Sequence, residues 1–163
     1  MLIVLSGLSG VGKTTIARAL ASSLGAVYLR IDSIEQALRR AGLQVETEGY
    51  EVAHAITEDN LRAGRIVVAD CVNPWPLTRA AWRAVAERAG VRVVDVEVTC
   101  SDVEEHRRRV EARVADIDGH ILPTWNEVIS RDYRAWDTPR LVIDTSRLEV
   151  DEAVLRISAA LRQ

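Results

Sequence analysis

The sequence predicts an α/β protein built on a doubly wound sheet of five parallel strands, and three observations predict it. Short apolar runs rich in Val, Ile and Leu recur along the chain, as strands buried on both faces require. Amphipathic stretches with helical spacing separate these runs. A glycine-rich turn, Gly7-Leu8-Ser9-Gly10-Val11-Gly12-Lys13-Thr14-Thr15, joins the first run to the first helical stretch.

Leu2-Ile3-Val4-Leu5 reads as the first strand, and Thr15 to Leu24 as a helix with Ile16, Ala19, Leu20 and Leu24 at helical spacing. Ala26 to Ile31 is the second strand. Asp32-Ser33-Ile34-Glu35 then opens a helix with a capping pattern, and Ala41-Gly42 closes it. A third helix covers Gly49 to Ala63 with Val52, Ala55, Ile56 and Leu61 on its apolar side, and Gly64 ends it. Ile66 to Ala69 forms the third strand and stops at Asp70. Pro74 and Pro76 punctuate a loop from Cys71, after which Leu77 to Ala89 is helical up to Gly90.

Val91 to Val98 is the fourth strand, and Ser101-Asp102-Val103-Glu104 caps a helix that runs through His106-Arg107-Arg108-Arg109 towards Val114. Asp116 to Pro123 breaks the pattern. Thr124 to Arg134 is helical again, Leu141 to Asp144 is the fifth strand, and Glu149 to Leu161 the closing helix. With no repeat, low-complexity tract or linker, residues 1–163 read as one domain, with a mobile flap over about residues 109–124.

A chain of 163 residues, 48% hydrophobic and 28% charged, can bury a core without disulfides or a structural metal. Its net charge of −3 argues against a long nucleic-acid partner, which asks for a basic face. Cys71 and Cys100 lack metal-ligand spacing and read as reduced, buried thiols. Met1 leads directly into the first strand, leaving no room for a secretory leader, and no apolar run reaches membrane-spanning length; a cytoplasmic protein without a membrane partner is expected. Monomer and homodimer both stay open.

The turn from Gly7 to Thr15 satisfies G-x-x-x-x-G-K-[ST] at every fixed position, between a strand and a helix as that motif requires. Its glycines let backbone N–H groups converge on a polyphosphate at a helix N-terminus. Lys13 then reaches the outer phosphates and the Thr14 hydroxyl ligates Mg²⁺. Lys13 is also the only lysine against twenty arginines, which suggests a site needing a compact ammonium.

Asp32, Asp70 and Asp144 stand just past strand ends, where ligands bind in such sheets. Asp32 is placed to orient and deprotonate an attacking hydroxyl, and Asp70 to hold the metal through water. Asn73, Trp75 and Trp82 are candidates for lining an acceptor pocket, although Trp in a chain of this size is more often core. Arg109 and Arg113 share a helix face leading into the flap, where they would neutralise charge on a transferring phosphoryl group. His54, His106 and His120 have no ligand spacing and read as structural. Asp116-Ile117-Asp118-Gly119 fits D-x-x-G, a switch pattern too short to carry weight between helices. A guanine-reading N-K-x-D is impossible with Lys13 as the sole lysine.

With these pieces in order, the chain resembles the P-loop small-molecule kinases of the group that includes chloramphenicol phosphotransferase, adenylylsulfate kinase and gluconate kinase. The resemblance spans nearly the whole length. It rests on Gly7 to Thr15, Arg30-Ile31-Asp32-Ser33, Val67-Val68-Ala69-Asp70, the Arg-rich helix before the flap, and Pro139 to Ser146. It implies a nucleoside-monophosphate-kinase-like architecture with a helical flap, and an acceptor-binding, base role for Asp32. It further implies phosphate-binding flap arginines and backbone near Thr145-Ser146 beside adenine. The flap departs from the compact glycine-rich arginine pattern of several members.

The function expected is therefore transfer of the γ-phosphoryl of ATP, with Mg²⁺, to a hydroxyl of a small molecule. A polynucleotide or nucleotide 5′-kinase and a regulatory ATPase without an acceptor are the alternatives.

Overall fold

A computed structural model describes residues 1–162 of the chain. In order, its elements are β1 (Leu2–Ser6), α1 (Lys13–Leu24), β2 (Val27–Arg30), α2 (Ile31–Arg40), α3 (Glu48–Arg62), β3 (Val67–Asp70), α4 (Pro76–Arg88), β4 (Val93–Thr99), α5 (Val103–Ala112), α6 (Trp125–Ile129), β5 (Leu141–Asp144) and α7 (Val150–Ala160). The five strands form one all-parallel sheet in the order β2-β3-β1-β4-β5. Strand order reverses at β1, so the crevice where ligands bind in open parallel sheets falls at the C-terminal end of β1.

All five residues of β1 are buried, because both faces of the sheet are covered. Ile3 and Leu5 share one apolar cluster with Ile16 and Leu20 of α1 and Ala153 and Ile157 of α7. Leu2 and Val4 point the opposite way, into a second cluster with Ala53, Leu61, Trp82 and Val85. The alternation of side chains along a strand thus divides one apolar run between two cores.

The register aligns the strand ends that matter. Leu5 pairs with Asp70, and Asp70 pairs with Arg30, which sets three polar or loop-bearing ends side by side.

Helices α2, α5 and α6 differ from the sequence reading; α5 ends at Ala112, so Arg113 lies past it in extended backbone and shares no helix face with Arg109. Helix α2 begins at Ile31, so Asp32 lies inside its first turn instead of capping it. Helix α6 ends at Ile129, well short of Arg134. The chain beyond it is held from outside that segment. Arg79 of α4 is fully buried and donates to the carbonyls of Arg134 (2.7 Å) and Ala135 (3.2 Å), while its guanidinium stacks 4.1 Å from the Trp136 ring centre. These bonds, with the Arg134 N–H donating to the Pro74 carbonyl at 2.9 Å, dock residues 134–136 against the start of α4 as irregular chain.

Candidate functional site

The turn after β1 is shaped by contacts that only glycine permits. Gly7 has φ +144°, and a Cβ there would collide with the Val98 carbonyl oxygen. Gly12, at φ +94°, starts α1 from a left-handed conformation, 3.4 Å (ideal Cβ) from the Thr145 methyl. The loop therefore wraps the N-terminus of α1, whose free N–H groups and dipole attract anions.

Lys13 folds back along this loop, and its ammonium donates to the Leu8 carbonyl at 2.8 Å. The side chain is almost completely buried, and burial pulls its pKa down against the opposing pull of Asp70 and Asp32. Leu8 supplies one acceptor for a group with three donors. Beside it, the Thr14 hydroxyl donates to Asp70 Oδ2 at 2.7 Å, and the Tyr28 hydroxyl donates to the same oxygen at 2.9 Å. Burial and the adjacent Asp70 carboxylate push the Tyr28 phenol up, so it remains a proton donor.

A hydroxyl and a carboxylate at the phosphate loop are hard oxygen donors, as Mg²⁺ takes when phosphates and water complete its shell. Among the described residues no cluster of three or more His, Cys, Asp or Glu could hold a metal by itself. The donor set thus fits a cation shared with a phosphate ligand.

Two cavities meet here. The first, of about 380 Å³, is lined by Ser9, Gly10, Gly12, Lys13, Thr14 and Thr15, by Asp32 and Asp70, and by Arg109, Arg113 and Thr145. The second, of about 840 Å³, lies between α2, α3, the start of α4 and the flap. Ser9, Asp32, Val72 and Arg113 border both. Asp32 accepts from Arg30 Nη2 at 3.1 Å and is about a third exposed (36%), so one carboxylate faces both spaces.

The two candidate arginines part company. Arg109 is ion-paired with Glu105 at 2.7 Å and donates to Thr145 Oγ1 (2.8 Å) and the Thr145 carbonyl (3.1 Å), which ties it to the β5 loop. Arg113 makes no ion pair and no side-chain hydrogen bond among the described residues. Standing at the junction of both cavities, it is the guanidinium free to meet an incoming anion.

Other candidates fall elsewhere than the sequence reading puts them. Gly7, Leu8 and Val11 shape the loop without bordering the first cavity; Val11 is buried, and its carbonyl accepts from Thr145 Oγ1. Ser146 does not border it either, because its amide and hydroxyl are held by Asp144 at 3.1 and 2.8 Å. Trp75 does line the second cavity, with Nε1 donating to Asp132 at 3.1 Å.

Asn73 does not line that cavity. It is fully buried at φ +51°, its amide nitrogen donates to Ser6 Oγ at 3.0 Å, and its backbone N–H donates to the Tyr50 hydroxyl at 3.1 Å. Its role is to brace the start of the loop.

Sequence reasoning missed Leu148, Glu149 and Val150, which border the first cavity after β5. Position after a strand end could have flagged these three. His106, read as structural, is buried and braces the loop: its Nε2 lies 2.8 Å from the Ser9 carbonyl and its ring meets Trp125 edge-on at 5.1 Å. Nothing local flags its contact with Ser9, 97 residues away.

A protein-family profile described as "AAA domain" matches residues 2–129. No curated protein matches the sequence. Among solved structures, a sugar kinase from Janibacter sp. superposes with a TM-score of 0.68 at 20% identity, covering 99% of this chain and 94% of that one. The APS kinase of Mycobacterium tuberculosis in complex with AMPPNP and APS gives 0.66 at 20% identity, over 99% and 97%. A gluconokinase from Sinorhizobium meliloti gives 0.63 at 18% identity, over 98% and 94%. At these identities the likeness establishes a shared fold, that of the small-molecule P-loop kinases.

Proposed function

The chain belongs to the AAA domain family of P-loop proteins, and from that premise we propose that it is an ATP- and Mg²⁺-dependent kinase that phosphorylates a hydroxyl of a small molecule. The observation that carries this reading is Asp32, whose carboxylate stands between the phosphate loop and a cavity of about 840 Å³. That volume suits a small organic acceptor. A loop that only hydrolysed ATP has no use for such a chamber beside a carboxylate.

In the mechanism proposed, the loop amides and Lys13 hold the β- and γ-phosphates in the first cavity. Thr14 and Asp70 would hold the metal, which would supply charge neutralisation at the phosphates. The acceptor hydroxyl lies against Asp32 in the second cavity. Its oxygen forms a bond to the γ-phosphorus as the bond to the ADP oxygen breaks, and its proton passes to Asp32. Arg113 meets the equatorial oxygens across the shared border. Arg109, drawn to Thr145, and the residues from Leu148 to Val150 flank the far end of the first cavity, where the nucleoside would lie. Catalysis is then mainly positioning and electrostatics. A cytoplasmic location accords with ATP as substrate and with Cys71 and Cys100, both free thiols.

The test is a panel of hydroxyl acceptors with γ-labelled ATP, comparing the native protein with Asp32→Asn. The substitution is expected to lower transfer by about 10²- to 10⁴-fold while leaving calorimetric MgADP binding intact. Undiminished transfer by Asp32→Asn would overturn the base assignment. Hydrolysis with no transfer to any acceptor would overturn the kinase.

A further inference from the structure

Beneath the site lies a charged group that borders neither cavity. Arg30, at the end of β2, has a side chain only 1% exposed and is surrounded by three carboxylates. Its Nη2 donates to Asp32 at 3.1 Å, and its Nη1 donates to both oxygens of Asp116 at 3.0 and 2.8 Å. Its Nε lies 4.0 Å from Asp70. Asp32 and Asp70 are fixed by the sheet and by α2, whereas Asp116 comes from the irregular segment between α5 and α6.

A buried guanidinium holds its place only while its partners hold theirs. Asp116 is therefore part of what sets the plane of Arg30, and so the direction in which Asp32 is held. The same segment is fastened from other sides: Arg18 donates to Asp116 at 2.7 Å, Arg40 to the Asp118 carboxylate at 2.8 Å, and Gln36 to the Asp118 carbonyl at 3.2 Å. All of these anchors reach the flap from α1, β2 and α2, the elements that flank the site.

We propose that Arg30 is a positioning residue and Asp116 its flap partner. Their ion pair couples docking of the 113–124 flap to the aim of Asp32, so that the γ-phosphoryl goes to the acceptor and not to water. This rests on the kinase reading above. Although partial burial pushes the Asp116 carboxyl up, the bonds from Arg30 and Arg18 hold it down at about 2, so the pair is charged at every physiological pH. An undocked flap would leave Arg30 shared by Asp32 and Asp70 alone and open the junction of the cavities to solvent.

The test uses the full chain with Asp116→Asn and Asp116→Glu. The carboxylate is about a third exposed (36%), which favours folded variants. Three quantities are read: MgADP binding by calorimetry, trypsin cleavage after Arg113, and the ratio of acceptor phosphorylation to acceptor-free ATP hydrolysis. Asp116→Asn is expected to speed cleavage and lower the ratio by about tenfold each, the order of one charge-assisted hydrogen bond lost, with MgADP affinity unchanged. Asp116→Glu is expected to restore both.

Faster cleavage with an unchanged ratio would reduce the pair to a structural tie and overturn the coupling. Unchanged cleavage would overturn the latch itself. If the native protein phosphorylates no acceptor while binding MgADP, the kinase reading falls and the coupling falls with it. If native transfer is robust and only the Asp116 arms fail, the kinase reading stands alone.

Discussion

Lys13 concentrates the argument at the scale of single residues. A buried ammonium that hydrogen-bonds one carbonyl, with the Asp70 and Asp32 charges nearby, keeps donors available for an incoming anion. Lys13→Ala is expected to abolish the heat of MgADP binding, and Lys13→Arg to fail as well, since a planar fork cannot replace a compact ammonium in that space. His54 makes a second, opposite prediction. Burial, helped by the nearby Arg88 charge, lowers its pKa from 6.5 to about 4, and its ring packs edge-on against Trp82 at 4.4 Å. The unfolded chain therefore takes up the proton first on acidification. Stability is unaffected by this group above about pH 6.5 and falls as pH drops from there towards 4. Urea denaturation of His54→Leu across that window should lose this part of the pH slope; an unchanged slope would rule the histidine out as its source.

At the scale of elements, helix α6 is informative because the chain that follows it is held from a distance. The pattern from Thr124 to Arg134 is helical by its spacing, and Thr124 starts it with a reciprocal cap to Glu127. It nevertheless ends at Ile129, and the chain beyond it docks on Arg79, which no reading of residues 124–134 can include. Arg79→Leu would leave the carbonyls of Asn73, Arg134 and Ala135 without their side-chain donor, and that of Pro74 with only the Arg134 N–H. A loss of about 3 kcal/mol or more in urea denaturation is expected. Backbone amide exchange should quicken in residues 131–136, the stretch held to α4. The same logic explains why the flap could be located from the sequence but its anchoring could not: Asp116 meets Arg30 across 86 residues.

For the whole molecule, the sheet order assembles the proposed nucleotide cradle from segments scattered between Ser9 and Val150. Ligand binding at such a cradle stabilises the entire fold by mass action. MgATP at a hundredfold excess over its Kd should add about 2.7 kcal/mol, or roughly 5–10 °C in Tm. Chelating the metal should remove much of that shift, and a Tm indifferent to nucleotide would contradict the proposed site.

The phosphate loop, the alternation of strands and helices, and the carboxylates at strand ends were legible in the chain alone. Each is a local pattern, in which neighbouring residues dictate turn geometry, periodicity or a strand terminus. The partnership of Arg30 with three carboxylates, the retreat of Asn73 into the core and the separation of Arg109 from Arg113 were decided only by the tertiary structure. Those depend on which distant segments the parallel sheet sets side by side, and a guanidinium chooses its partners by proximity in space, not by spacing in sequence.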